Sequence, residues 1–409
     1  MSFIVIGGGA SGLMAAYTAA KNGNEVLLLE KNEKLGKKIY ITGKVRCNVT
    51  NDCPPEDFLQ SIIRGGKFLT GTIYAFPPEK MMAFLEEWKL ALKVERGNRV
   101  FPMSEHASDV TRTLERACRA VGVKIQLNET VEKLVIEGGA VRGVKTNLNS
   151  YECDIAIVAT GGISYPATGS TGDGYRFAQE AGHTITECVP SLVGLNLKGN
   201  SVPQGISLKN VVLTAKRNGK VISSEMGELL FTHFGISGPL VLTLSAKINR
   251  LPIKEISLHL DLKPALDEKK LDTRLLRDFE ERKNEDLKNV MRGLLPSGLV
   301  IPVLQAAGVS ASKKANSVTR EERIALLKTL KDFILIPESL RGFTEAVVTS
   351  GGVELKEVDP KTMESKLIKG LRICGEVLDV DAYTGGFNLQ IAWSTGYMAG
   401  KSVLKEEIP

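Results

Sequence analysis

The chain has 409 residues, 43% hydrophobic and 24% charged, with a formal net charge of +6. That length points to two or three domains, and that composition excludes gross disorder. The mild basicity suits an anionic cofactor or RNA alike, but no run of like charge is long enough for a nucleic-acid tail.

The chain opens on a short apolar run, Phe3-Ile4-Val5-Ile6, as a buried parallel strand would. Gly7-Gly8-Gly9-Ala10-Ser11-Gly12 follows at once and fits GxGxxG at Gly7, Gly9 and Gly12. A helix is expected over Leu13–Asn22, then a second strand over Val26–Leu29 with Glu30 at its tip. Each part has a reason. Gly7 permits the tight turn, Gly9 admits a pyrophosphate, and Gly12 lets helix and strand approach. The helix start, with Ala10 and Ser11, offers free N–H groups to phosphate. Glu30 is placed to accept both ribose hydroxyls, and it disfavours a 2′-phosphate. Residues 1–20 imitate a signal peptide, but they lack a basic start and glycines interrupt them. The expected location is cytoplasmic, with no membrane partner.

Lys31 to Lys38 is basic and can reach phosphates or only solvate a helix face. A helix is expected over Ala107–Val121, a strand over Lys124–Leu127, and hairpin strands over Thr130–Ile136 and Ala140–Thr146. Asp154 to Val158 is a further buried strand, running through Ala159 and Thr160 into Gly161-Gly162. Asp173 reads as the N-cap of a helix over 174–182. Past Pro190 the texture changes. Short β-like runs appear at Val211–Thr214, Lys220–Ile222, Leu240–Leu244 and Ile256–Leu262. Residues 265–336 then have helical spacing, with Leu266, Leu271, Leu275, Leu276 and Phe279 read as one core stripe. Strand and glycine texture returns near Phe343. The expected organisation is a discontinuous first domain (1–190 and 344–409) and an insert (191–343), the latter β-rich to about 264 and helical from about 265. Near the end, Gly375-Glu376-Val377-Leu378-Asp379 precedes Gly385-Gly386-Phe387-Asn388-Leu389, which opens a helix to about Val403. Two anion-receptive helix starts at opposite ends of the chain suit a long dinucleotide with an extended ring system.

Five segments occur in order: ITGKVRCNVTN (41–51), FPMSEHASDV (101–110), ATGGISYPATGSTGDGY (159–175), GELLFTHFGISGP (227–239) and GEVLDVDAYTGGFNLQIAWSTG (375–396). Together with the amino-terminal unit they resemble the bacterial flavoproteins known as NAD(FAD)-utilizing dehydrogenases, a family that includes aminoacetone oxidases and bile-acid reductases. The resemblance covers nearly the whole chain. It implies an α/β protein with a Rossmann-like two-dinucleotide-binding-type domain for noncovalent FAD and an inserted domain. It also implies cofactor contacts at Thr42, Gly43, Arg46 and Asn48, and a backbone contact to adenine at Val131. The remaining candidate contacts are Lys31, Lys38, Ala159, Thr160, Gly161, Gly375, Glu376, Asp379, Gly386, Phe387, Asn388 and Leu389. Val45 stands where the family usually carries a small residue. Either the backbone there is extended, or the loop is remodelled beside the flavin.

The expected activity is hydride transfer between a small organic substrate and FAD. NAD(P)H could act as a transient reductant, with an unsaturated or carbonyl substrate. An RNA-associated flavoprotein is the reading from another class, but the cations of the insert alternate with acids, so no nucleic-acid partner is expected. No signal of oligomeric state is present. The six scattered cysteines form no CxxC pair, and with four histidines in the chain a metal site is not expected. Cys47 and Cys53 are one residue too far apart for the CxxxxC of a disulfide relay, and no second GxGxxG is present for NADPH. Arg46 could pair with phosphate or with negative charge on reduced flavin. Cys47 is either a nucleophile or a close-packed small residue at the ring; the second is favoured, because no histidine is adjacent in sequence to activate it. His233 is a candidate proton donor or substrate ligand, weighed against a structural histidine bonded to backbone. Tyr165 is a candidate for the same role, with packing against Pro166 as its default.

Overall fold

A computed structural model describes residues 1–43, 45–199 and 203–401. They form two compact units: Met1–Ser191 with the stretch from Ala346 onward, and Leu192–Glu345.

In the first unit the opening apolar run becomes the strand Ser2–Ile6. It is the middle of a five-stranded parallel sheet in the order Leu371–Ile373, Ile155–Val158, Ser2–Ile6, Glu25–Glu30, Lys124–Leu127. A strand covered on both faces must be apolar throughout, and Phe3, Ile4, Val5 and Ile6 are all buried. The helix Ala10–Lys21 lies against this sheet, starting earlier than its apolar period predicts. A Cβ on Gly12 would run into the Gly7 carbonyl oxygen, so only glycine lets the helix start this close to the strand. An antiparallel meander, Val131–Glu137, Ala140–Thr146 and Ser150–Glu152, follows as a separate sheet.

The helix Phe387–Gly400 packs on the first helix. Gly396 is the close-contact point, because any side chain there would strike the Ser11 backbone. Val403, the expected end of this helix, lies outside the described residues. Buried Arg372 closes the helix end by donating from Nη1 to the carbonyls of Ala399 and Lys401, both at 2.7 Å.

The second unit is built on a seven-stranded antiparallel sheet, in the order Phe333–Leu335, Ile256–Asp261, Ser207–Arg217, Lys220–Phe231, Gly235–Ser237, Leu195–Leu197, Pro337–Leu340. Its core joins sheet residues such as Leu213, Leu229 and Phe231 to Leu275, Val303 and Leu326 from helices. Two expectations fail here. Leu240–Leu244 is not a strand but part of the helix Pro239–Ile248, which begins on a proline and buries Leu240, Val241, Leu244 and Ile248 at helical spacing. Leu276 is not on the core stripe: it is 46% exposed, one position round from Leu275, while Leu271, Leu275 and Phe279 face inward at four-residue steps. No helix among the described residues is long and apolar enough to cross a membrane.

Candidate functional site

The chemistry of the first unit gathers at the carboxyl end of its central strand. Gly9 is the N-cap of the first helix, with no side chain capping the free N–H groups. A Cβ built there meets nothing within 4 Å, so the space over this helix start is open. Buried Glu30 stands beside it. Its Oε2 accepts from the Gly8 N–H at 2.7 Å, and its Oε1 accepts from Asn32 N at 2.9 Å and Asn32 Nδ2 at 2.6 Å. Glu129 N donates to Glu30 O at 3.1 Å, which brings the start of the Val131 strand next to this carboxylate. The open helix start at Gly9, the buried Glu30 carboxylate and the segment leading to Val131 are thus neighbours.

The lysines after Glu30 are already engaged. Lys31 Nζ donates to Asp173 Oδ2 and Thr171 Oγ1, both at 2.6 Å. Asp173 is therefore no N-cap: it is the first residue of the helix Asp173–Glu180, behind Gly172, and its carboxylate serves Lys31. Lys38 Nζ donates to Glu376 Oε2 at 2.7 Å and Ser164 Oγ at 2.5 Å. Glu376 also accepts from Thr349 N at 2.7 Å, so it ties together segments of the first unit that are distant in sequence. Ala159 is buried and Gly161 takes a left-handed turn. Thr160, between them, has a buried Oγ1 without a hydrogen-bond partner among the described residues.

The loop 40–51 is held from behind by the C-terminal helix. Trp393 Nε1 donates to Val49 O at 3.0 Å, and Thr50 Oγ1 bonds Gln390 Oε1 at 2.7 Å. Val45 is not extended: its φ is +70°, in the left-handed region that a valine tolerates poorly. Arg46 is not a free cation waiting for phosphate. It pairs with Glu95 at 3.0 Å and Glu105 at 3.3 Å and lies over the Phe101 ring at 4.1 Å. Thr42 Oγ1 bonds back to Ile39 O, and the Gly43 carbonyl receives Arg46 N. Asn48 Oδ1 is buried with no partner among the described residues. A donor is what this atom lacks, and a flavin ring has N–H groups to offer.

At the other end of the chain, Gly375 packs on Ser11, and its N–H donates to Thr395 Oγ1 at 3.0 Å. Asp379 is held in a fork by Arg64 at 2.7 and 2.5 Å. Asn388 clips back onto the backbone of Ala382 and Tyr383. Phe387 stands edge-on to Phe58, half-buried like Leu389. Gly386 is the N-cap of the last helix, again with no side chain capping it. Sequence reading missed Arg64 and Asp381, because an isolated arginine and a second acid in a short motif carry no periodic signal.

The three catalytic candidates fare differently. Cys47 is fully buried, and burial pushes its thiol up to about 12 despite the Thr42 hydroxyl, so a thiolate nucleophile is not formed near neutrality. All six cysteines are free thiols. Tyr165 sits half-buried in a left-handed turn at the start of a short 3-10 turn. His233 belongs to the second unit. It is exposed, stands edge-on to Phe234 at 5.1 Å, and makes no side-chain hydrogen bond among the described residues. It is therefore not a backbone-bonded structural histidine.

Residues 1–402 match the family described as HI0933-like protein Rossmann domain. A 3-dehydro-bile acid delta(4,6)-reductase of Clostridium scindens is 31% identical over 97% of this chain and 98% of its own length. A ribosomal RNA dihydrouridine synthase of Haemophilus influenzae is 32% identical over 98% of each chain. The solved 3-ketosteroid-delta4-(5alpha)-dehydrogenase of Rhodococcus jostii aligns with a TM-score of 0.53 at 15% identity, over 98% of this chain and 96% of that one, which speaks for the fold alone. The open space over Gly9, the buried carboxylate of Glu30 beside it and this full-length match agree: the chain belongs to the HI0933-like Rossmann family and is an oxidoreductase of the flavin-binding type.

Proposed function

We propose that the protein binds FAD noncovalently and exchanges hydride between it and a carbon–carbon double bond conjugated to a carbonyl. The observation that carries the cofactor is a set of unmet needs in one unit: open space over Gly9, and the unpartnered buried atoms Asn48 Oδ1 and Thr160 Oγ1. The residues present fit FAD. Gly9, Ala10 and Ser11 at the first helix start would hold the pyrophosphate, Glu30 the ribose, Val131 the adenine, and Asn48 the ring system. When bound, FAD supplies the hydride exchange, and NAD(P)H serves as a transient reductant. The start of the helix Phe387–Gly400 favours negative charge nearby. His233, in the second unit, is the first candidate proton donor by residue type, and Tyr165, in the first unit, is the reserve.

The substrate class comes from the names of relatives. A 3-dehydro-bile acid with delta(4,6) unsaturation and a uridine reduced to dihydrouridine both place a ring double bond beside a carbonyl. RNA remains the second reading because two relatives bear the synthase name. The cations of the second unit weigh against it. Arg274 pairs with Asp278, Arg282 with Glu285, Lys313 with Glu322, Arg323 with Asp272 and Lys331 with Asp261, which is a solvated face rather than a phosphate track.

The test is anaerobic. Purified yellow protein should bleach with NADH or NADPH and regain colour on adding 2-cyclohexen-1-one. Protein that stays colourless with added FAD refutes the cofactor. Bleached protein that no enone reoxidises refutes the reaction.

A further inference from the structure

A serine, a histidine and a carboxylate are hydrogen-bonded in a row in each unit. In the first unit, His183 Nδ1 lies 3.0 Å from Glu357 Oε2, and its Nε2 lies 2.7 Å from Ser365 Oγ. That serine is spent. It is buried, and its Oγ also accepts from Leu367 N at 3.0 Å and Ile368 N at 2.9 Å. With its proton given to the histidine and its lone pairs taken by amides, it has nothing left to attack with.

The second unit differs. His259 Nδ1 lies 2.7 Å from Asp332 Oδ1, and its Nε2 lies 2.9 Å from Ser257 Oγ. Here His259 is the only hydrogen-bond partner of Ser257 Oγ among the described residues, and Ser257 is half-buried rather than sealed. The Asp332 carboxylate can only accept, so Nδ1 carries the ring proton and Nε2 is left to accept from the serine hydroxyl. That order of bonds is the one that turns a serine into a nucleophile.

The sheet explains why the three meet. Ser257 and His259 are two residues apart on the strand Ile256–Asp261, so they share one face, while Ile256, Leu258 and Leu260 fill the core on the other. Asp332 caps the helix Arg320–Lys331 and leads into Phe333, which pairs with Leu260. Register completes the outer face: Lys216 stands opposite Ser257, Val221 opposite Lys216, and Thr214 and Ile334 on either side of His259. Directly opposed residues share a face, with Cβ atoms about 5 Å apart. Val221 is 61% exposed and Ile334 55% exposed, and Lys216 forms no ion pair among the described residues.

We infer that Ser257, His259 and Asp332 form an acyl-transfer site on this face, separate from the flavin chemistry, for carboxylic esters with a short apolar acyl chain. Ser257 Oγ bonds to the ester carbonyl carbon as its proton passes to His259 Nε2. The carbon–oxygen bond to the alcohol breaks, and the alcohol leaves with that proton. Water then attacks the acyl-serine, losing a proton to the same nitrogen, and the acid leaves as Oγ recovers its proton. The sum is ester plus water giving acid plus alcohol. Lys216 offers positive charge to the carbonyl oxygen, Val221 and Ile334 offer apolar surface to the acyl chain, and Asp332 is a positioning residue that fixes the tautomer.

The experiment treats the purified full chain with a fluorescent fluorophosphonate and, separately, with p-nitrophenyl butyrate. Peptide mass analysis should place the phosphonyl adduct on Ser257. Labelling should vanish in S257A and in urea-unfolded wild type, and persist in S365A. Ester hydrolysis in H259Q should fall about a hundredfold or more in kcat/KM, the share of a general base. D332N should lower kcat about tenfold or more at unchanged KM, because an amide can donate to Nδ1 and so move the ring proton to Nε2. S257A should keep the Tm and the flavin content of wild type. Absence of an adduct on Ser257, equal labelling of the unfolded chain, or undiminished hydrolysis by S257A overturns the inference. So does a D332N protein that loses Tm but keeps its kcat, since the three residues would then be only a clip between strand and helix end.

Discussion

Asp381 offers a sharp test of the energetics of the first unit. It is wholly buried, and among the described residues its carboxylate accepts from two hydroxyls, Ser191 Oγ at 3.0 Å and Ser350 Oγ at 3.1 Å. The nearby guanidinium of Arg64 is committed to Asp379. Burial therefore pushes the Asp381 carboxyl up to about 6, against the pull of Ser191, Ser350 and Arg64, with Asp379 adding to the rise. The folded state holds the proton more tightly than the unfolded chain, whose aspartate titrates near ~3.9. Stability from this group is thus fully present below about pH 4 and is lost as pH rises through about 6. Two pKa units amount to about 3 kcal/mol in all, of which about 2 kcal/mol falls between roughly pH 4.5 and 7.5. Asp381→Asn keeps the shape and removes the titration. Both tryptophans, Trp88 and Trp393, lie in the first unit, so urea unfolding followed by tryptophan fluorescence reports on that unit. Wild type should lose about 2 kcal/mol relative to D381N across that range. A difference between the two proteins that does not change with pH would refute the reasoning, because it would mean that Asp381 is solvated or charge-paired in the folded state.

Other outcomes follow from the same contacts. Glu30→Gln should weaken FAD binding about tenfold or more, measured by flavin fluorescence, because one acceptor for the ribose hydroxyls is lost. Gly12→Ala places a Cβ against the Gly7 carbonyl, so protein that folds should be isolated without flavin. His233→Gln should lower the rate of enone reduction by about a hundredfold or more while leaving FAD content and bleaching by NAD(P)H unchanged. Cys47→Ala should retain turnover within severalfold and lose stability instead, by about 1–2 kcal/mol in the same urea assay, because the buried thiol acts as packing.

The amino-terminal unit was legible because all its determinants are local. Strand, glycine turn, helix and acid follow one another within 30 residues, and each residue's role depends on its immediate neighbours. The hairpin at 131–146 was legible for the same reason, through alternation around Gly138-Gly139. What escaped depends on partners far away in sequence. Arg46 looks like a phosphate ligand until Glu95 and Glu105 are seen to claim it. Asp173 looks like a cap until Lys31 arrives from 142 residues away. Leu240–Leu244 fits a strand or a helix equally, and only the apolar floor of the second unit selects the helix. In each case the sequence names a residue able to do a job but not the competitor for it.

That asymmetry sets the value of the unpartnered atoms. Most polar groups predicted to touch a cofactor are already satisfied within the protein: Lys31, Lys38, Glu376, Asp379 and Asn388 all have partners. These contacts hold segments in register, and replacing any of them should disturb that scaffold as well as any contact made to FAD. Asn48 Oδ1 and Thr160 Oγ1 are different, because a buried acceptor without a donor costs about 1–3 kcal/mol until something supplies one. Both atoms belong to the same unit as the open helix start at Gly9 and the buried Glu30, and on the FAD reading proposed above each would find its partner in the bound cofactor. Cofactor binding should therefore raise the stability of the first unit beyond what mass action at the phosphate and ribose contacts alone would give. The excess should shrink when Asn48 is replaced by alanine, which takes away both the need and the contact.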